Sequence, residues 1–169
     1  MVIFGCVLLI LACGGGGLWI AMRIKKRPRE IRAAMTALAL LDTEIYWGAT
    51  PLPEAFQVLE QRMEEPWRSF FAELARRLRQ GEAAGEAWQD TIAACRRDFC
   101  LRQTDWALLK DTGKGLGRSD RDDQHKQLER IQRQLALLWE QNNVRADQQA
   151  KMWSYMGFML GIAGAIILL

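Results

Sequence analysis

Residues 1–29 read MVIFGCVLLILACGGGGLWIAMRIKKRPR, a run without charge up to Met22 that is followed by basic side chains. At about 1.5 Å of rise per residue, a helix over 1–22 would be about 33 Å long, which is enough to cross a hydrocarbon core of about 30 Å. A cleaved signal peptide would carry its positive charges before the apolar run, whereas here they follow it. The stretch therefore predicts a transmembrane helix over 1–22 and a basic juxtamembrane linker over 23–29.

A second run without charge closes the sequence, from Trp153 to Leu169. As a helix it would be only about 25 Å long, but Trp153 and Tyr155 suit the membrane interface, so we predict a second transmembrane helix over 151–169. Positive residues stay on the cytoplasmic side of a membrane. We therefore expect both termini outside and residues 30–150 in the cytoplasm. The basic residues predicted to fix this topology and to contact lipid headgroups are Arg23, Lys25, Lys26, Arg27 and Arg29.

The net charge of +3 comes from these five residues and from Lys151, which precedes the second run. Between Glu30 and Ala150 lie 17 of the 23 Lys and Arg residues and all 20 Asp and Glu residues, which gives a net charge of −3 there. The basic excess therefore reflects membrane topology, and we expect no nucleic-acid partner.

Residues 30–150 show apolar residues at helical spacing throughout, with no strand-like alternation. The segment Arg27-Pro28-Arg29 is expected to interrupt the chain before the first helix, and Thr50 is expected to cap the second. The sequence thus predicts an all-α bundle of about six helices over 30–150, flanked by the two terminal transmembrane helices. The predicted helices run from about Ile31 to Trp47, Pro51 to Arg62, Pro66 to Gln80, Ala84 to Arg97, Leu101 to Thr112, and Asp120 into the second span.

Three patterns could carry chemistry, and each has a stronger structural interpretation. Gly113-Lys114-Gly115-Leu116-Gly117 lacks the order of a phosphate-binding loop and favours a break between two helices. The acidic cluster Asp120, Asp122 and Asp123 beside His125 favours a helix N-terminus over a metal site. The cysteines show no zinc-ligand spacing. We therefore predict no catalytic residue, no metal and no cofactor.

Glycine pairs give the second run a possible packing face. Gly157 and Gly161 are four residues apart, a spacing that lets two helices approach closely in lipid, and residues 14–17 offer a similar surface in the first run. Packing of the two spans on each other and packing on a partner both remain open at this point, as does a homo-oligomer.

The whole chain resembles the stage III sporulation protein AB family of endospore-forming bacteria. The order of several short motifs over nearly the full length carries the resemblance. They are Arg27-Pro28-Arg29-Glu30-Ile31-Arg32, Glu44-Ile45-Tyr46-Trp47-Gly48, Thr50-Pro51-Leu52, Gly113 with Leu116-Gly117 and Asp120, Asp123-Gln124, and Gly157 with Gly161. Within the soluble part, the stretch from Thr50 through Phe70-Phe71 to Gly85 is also similar to the cytoplasmic domain of type II secretion system protein F.

The resemblance implies a non-enzymatic platform subunit of a secretion-like channel between mother cell and forespore. It places the chain in the outer forespore membrane with the bundle on the mother-cell side. The implied partners are other proteins of the stage III A operon, including the AA protein, which resembles a secretion ATPase. The exposed arginines that are candidates for facing such a partner are Arg76, Arg79, Arg96 and Arg97, with a solvated surface as the alternative interpretation.

Two other classes of function remain open from the sequence. A channel or transporter subunit of the same complex would use the spans as a pore, and the lack of charge in them disfavours it. A membrane-bound enzyme would need a convergent acid, base and nucleophile, which the sequence does not suggest.

Overall fold

The computed structural model describes the backbone of residues 2–117 and 120–168, and the side chains of 14–117, 120–160 and 163–164. Within that part of the chain, the regular structure consists of six α-helices and a 3-10 turn, with no strand. The helices are α1 (Val2–Tyr46), α2 (Leu52–Arg62), α3 (Trp67–Arg79), α4 (Ala84–Cys95), α5 (Gln103–Gly115) and α6 (Arg121–Leu168), and the 3-10 turn is Arg96–Asp98. The prediction of an all-α fold with about six helices is confirmed.

The chain divides into two compact units. Residues 29–139 form the first, which we name the bundle unit, and residues 1–28 together with 140–169 form the second, which we name the terminal unit. The long helices α1 and α6 contribute residues to both units, whereas α2 to α5 belong to the bundle unit alone.

The core of the bundle unit consists of the apolar stripes of all six helices. In α3 the stripe is Trp67, Phe70, Phe71 and Leu74, at the spacing that places residues on one face of a helix, and all four are buried. The last turn of the same helix carries basic residues, which the negative end of the helix dipole favours.

Trp67 lies at the centre of an aromatic cluster within this core. Its ring centroid is 4.8 Å from that of Phe99, 5.4 Å from Phe70, 5.8 Å from Phe71 and 6.4 Å from Trp106. The indole Nε1 donates a hydrogen bond of 3.0 Å to the carbonyl oxygen of Glu30 on α1. Trp67 therefore joins α3 to α1 and to the segment between α4 and α5.

Pro28 does not interrupt the chain, and the predicted break before the first bundle helix is wrong. The helix α1 continues from Val2 to Tyr46 with Pro28 inside it. Proline removes one backbone hydrogen bond at a cost of about 3 kcal/mol. The residues that follow pack their apolar face into the bundle core, with Ile31, Leu38 and Leu41 all buried. This packing offsets the proline cost and keeps the helix continuous.

Thr50 does not cap α2, so that prediction is also wrong. The residue before α2 is Pro51, and no side-chain cap is formed there. Instead the Thr50 hydroxyl donates a hydrogen bond of 3.0 Å to the carboxylate of Glu44, and the Thr50 amide donates one of the same length to the Glu44 carbonyl oxygen. The threonine therefore closes the turn at the end of α1.

Gly113 and Gly115 lie inside α5, whereas the sequence predicted a helix end at Thr112. The helix continues because Gly113 allows α5 to approach α4 closely. A Cβ atom built on Gly113 would lie 2.6 Å from Cδ1 of Trp88, a fully buried residue of α4. The break comes at Gly117, which adopts a φ of +75°. Helix α4 also differs from the prediction. It ends at Cys95, two residues before the predicted end at Arg97, and the 3-10 turn follows it directly.

Among the described residues, no helix has a stretch of the length and apolarity that a membrane crossing requires. The predicted spans over 1–22 and 151–169 fall in large part on residues 1–13, 161–162 and 165–169, whose side chains lie outside the described part of the chain.

Candidate interaction surfaces

In the terminal unit, the glycines of α1 lie against α6. A Cβ atom on Gly17 would lie 2.8 Å from the carbonyl oxygen of Trp153 and 3.3 Å from the Cα atom of Gly157, so the two backbones touch at this point. A Cβ atom on Gly15 or Gly16 would have nothing within 4 Å, so these two glycines face open space. The surroundings of Gly161 lie outside the described residues. The glycine spacing thus coincides with a close approach between α1 and α6 at Gly157.

The basic residues after the first apolar run differ in their surroundings. Arg23 lies over the ring of Trp19 with its guanidinium carbon 4.8 Å from the ring centroid. Lys25 forms an ion pair of 2.8 Å with Asp147, and Arg27 donates a hydrogen bond of 2.5 Å to Asn142. Lys26 and Arg29 are exposed. Two of the five residues therefore join α1 to α6 in the terminal unit.

The four arginines predicted to face a partner fall into two groups. Arg76 is held by Glu73, with a guanidinium nitrogen 2.6 Å from its carboxylate, and by the side-chain oxygen of Gln80. Arg77, which was not singled out from the sequence, is held by Glu73 and Glu82. In contrast, Arg79, Arg96 and Arg97 are exposed, and their side chains make no hydrogen bond or ion pair within the described part of the chain.

Arg96 borders a narrow cleft between the end of α4 and helix α5. The cleft has a volume of about 90 Å³ and is lined by Ile92, Arg96, Gln103, Trp106, Ala107 and Lys110. Arg96 was predicted from the sequence as an exposed arginine, but Lys110 was missed. The sequence does indicate that Lys110 shares one face of α5 with Gln103 and Trp106, because these residues are three and four positions apart. That this face lies beside Arg96 follows only from the packing of α4 on α5.

His125 was considered with the acidic cluster of α6, but the structure pairs it with α1. Its Nδ1 atom lies 2.8 Å from both carboxylate oxygens of Asp42, and its ring stacks on that of Tyr46 with centroids 4.5 Å apart. Asp122 and Asp123 remain in the first turn of α6, as the dipole interpretation expects. No signal in the sequence relates residues 42 and 125, which are distant along the chain.

The Asp42 contact changes the acidity of His125. The hydrogen bond to Asp42 raises the pKa of His125 above its ordinary value of 6.5, and the charges of Asp42, Glu129 and Asp122 act in the same direction against partial burial. Because the folded-state pKa is raised, the pair stabilises the fold fully below pH about 6.5 and loses this contribution as the pH rises through the folded-state value.

Substituting Asp42→Asn is expected to lower the pKa of His125, because the substitution removes the strongest acceptor and the nearest negative charge. His125 is the sole histidine, so a full chain labelled in its histidine ring gives one imidazole titration by NMR. Asp122→Asn is the matched control and should shift the titration less, since Asp122 acts only through its charge. An unchanged midpoint in Asp42→Asn would contradict the pairing.

Comparisons with known proteins agree on one family. The family model described as stage III sporulation protein AB matches residues 2–169. The stage III sporulation protein AB of Bacillus subtilis (strain 168) is 28% identical over 173 residues, which cover 99% of this chain and 98% of the relative. A solved structure of a stage III sporulation protein AB gives a TM-score of 0.69 at 28% identity and covers 72% of this chain and 97% of its own. The resemblance found in the sequence is confirmed, and the chain belongs to the stage III sporulation protein AB family.

Proposed function

We propose that this chain is a non-enzymatic membrane platform subunit of a secretion-like channel between mother cell and forespore. The single observation that carries the proposal is membership of the stage III sporulation protein AB family over residues 2–169. The bundle unit adds support, because it is a helical domain with a packed core of its own, as a binding module requires. Burial raises the pKa of the Cys95 thiol, which disfavours a thiolate nucleophile there.

We propose that residues 1–22 and 151–169 anchor the protein in the outer forespore membrane, with the bundle unit in the mother-cell cytoplasm. The support is the charge-free sequence of both runs and the basic residues that flank them on the bundle side. The close approach of Gly17 to Gly157 suits two helices that pack together in lipid, where small residues let backbones touch.

In this arrangement the bundle unit binds the ATPase-like AA protein of the same operon. The helices α1 and α6 contribute residues to both units. The two helices that would anchor the protein are therefore also part of the unit that would bind the ATPase. Ion pairs and hydrogen bonds between them, such as Lys25 with Asp147, help the pair to act as one element. The chain would therefore hold the ATPase in position and would catalyse no reaction itself.

Deleting the gene is expected to block spore formation, because the channel would lack its platform. The measurement is the number of heat-resistant spores per cell, compared with the same strain complemented by the intact gene. Normal sporulation of the deletion strain would overturn the proposed function.

The orientation is tested in vegetative cells that are induced to make the protein, because it would then lie in the cell membrane, where protease added from outside can reach one face. Protease added to right-side-out spheroplasts should leave residues 30–150 intact, since they would lie on the cytoplasmic side. Degradation of the bundle from outside is the result that contradicts this topology.

A further inference from the structure

The cleft beside Arg96 is lined by two cations, Arg96 and Lys110, and by no acidic residue. Neither side chain makes a hydrogen bond or an ion pair to any residue in the described ranges. By contrast, Arg76 and Arg77 share the carboxylate of Glu73 within 2.8 Å.

Two neighbouring cations without a counter-charge repel each other, and an anion between them would remove this repulsion. The described part of the chain therefore supplies no negative counter-charge for Arg96 and Lys110. Surface cations usually gain little from a single exposed ion pair. A carboxylate placed between two of them, partly out of water, gains more.

The floor of the cleft is apolar. Ile92 and Trp106 line it although they are only 2% and 6% exposed, and the side wall includes the exposed methyl group of Ala107. Its volume of about 90 Å³ is well below the roughly 300–1,000 Å³ of small-molecule sites, so it has room for one side chain. A lipid surface is broad and meets protruding cations, whereas this recessed floor between two cations suits a projecting side chain of a protein.

We propose that this cleft is a docking site for an acidic segment of a protein partner, which inserts an Asp or Glu side chain between Arg96 and Lys110. The carboxylate is held by the guanidinium and the ammonium groups, and the amide of Gln103 borders the same space. An apolar neighbour of the acid covers the Trp106 edge. The inference rests on the proposed function, because it takes the AA protein as the partner.

The first test is binding of the full chain, purified in mild detergent, to the AA protein. The double substitution Arg96→Glu with Lys110→Glu should weaken binding at least about ten-fold, which corresponds to about 1.4 kcal/mol. The matched control is the double substitution Lys126→Glu with Arg130→Glu, which changes the net charge by the same amount. Both residues are exposed cations of the bundle unit outside the cleft, and their side chains likewise make no ion pair among the described residues. Circular dichroism checks that each variant is folded.

The second test uses a carbodiimide, which joins a lysine to a carboxylate only when the two are in contact. Lys110 should cross-link to an Asp or Glu of the AA protein, whereas Lys114, already paired with Asp111 at 2.7 Å, should not. Lys110→Arg keeps the positive charge, so it should retain binding and lose the cross-link.

The outcomes separate the two proposals. If the wild-type chain binds the AA protein and the cleft double variant binds equally well, the cleft is not the docking site and the proposed function stands. Equal weakening by the cleft double variant and by the Lys126→Glu, Arg130→Glu control indicates general electrostatic attraction and also overturns the cleft as the docking site. If the wild-type chain does not bind, the proposed function fails and the inference fails with it.

Discussion

The substitution Trp67→Ala is expected to lower the free energy of unfolding by about 3–5 kcal/mol, the usual cost of removing a large aromatic side chain from a packed core. Trp67 is 2% exposed and contacts rings from α3, α5 and the segment between α4 and α5. Its removal would leave a cavity among four other aromatic residues and would end the hydrogen bond to the Glu30 carbonyl oxygen. That carbonyl oxygen lies on α1, so the loss would also loosen α1 from α3.

The measurement is denaturant unfolding of the full chain in mild detergent, followed by circular dichroism. Trp47→Ala is the matched control, because Trp47 is 79% exposed and the same change should alter stability by less than about 0.5 kcal/mol. Trp67→Phe should fall between the two, since it keeps a ring but loses the indole donor. Equal stability of Trp67→Ala and Trp47→Ala would show that Trp67 does not organise the core.

Gly113→Ala is expected to destabilise the bundle unit by about 1–2 kcal/mol. Three atoms of Trp88 would lie within 2.9 Å of the new methyl group, so either Trp88 or α5 must move. Trp88 is fully buried against Phe56 and Phe70, and its Nε1 atom donates a hydrogen bond of 2.7 Å to the Leu109 carbonyl oxygen. Overpacking of this kind costs about 1–3 kcal/mol and occasionally more, and it outweighs the gain of about 1 kcal/mol from placing alanine in a helix.

Gly115→Ala is the control in the same helix. The atoms in its way belong to the end of the flexible side chain of Gln127, which can turn aside at the cost of its hydrogen bond to the Asp111 carbonyl oxygen. This small loss and the helix gain should nearly cancel. A thermal unfolding midpoint in Gly113→Ala as high as in Gly115→Ala would show that α4 and α5 can separate without cost.

The helical architecture could be predicted because it depends on local periodicity. The stripe from Trp67 to Leu74 and the stripe from Ile31 to Ile45 are both visible in the sequence, and both are buried. The errors came from residues whose effect depends on distant contacts. Pro28 lies within a helix because the residues beyond it pack into the core, and Gly113 lies within a helix because Trp88 is close to it.

The interaction surfaces were predictable only in part, for the same reason. Arg96 could be chosen from the sequence as an exposed arginine, but its pairing state could not, since Arg76 looks the same in the sequence and is held by Glu73. Lys110 became part of a candidate site only through the packing of α4 on α5. The contact between His125 and Asp42 joins helices at opposite ends of the bundle sequence, and nothing local indicates it.

That same contact bears on how the protein is made. Asp42 with His125, and Arg32 over the ring of Trp139, both join the first helix of the bundle unit to its last. A ribosome synthesises α1 first and α6 last, so these contacts cannot form until translation has passed residue 125 for the first and residue 139 for the second. Leu38 and Leu41 of α1 belong to the same core cluster as three residues of α6, which are Leu128, Ile131 and Leu135. Until these three residues have been synthesised, part of the apolar face of α1 has no packing partner. The part of the α1 face that α6 covers thus stays exposed until α6 has been made, which gives chaperones and the membrane-insertion machinery time to act on it.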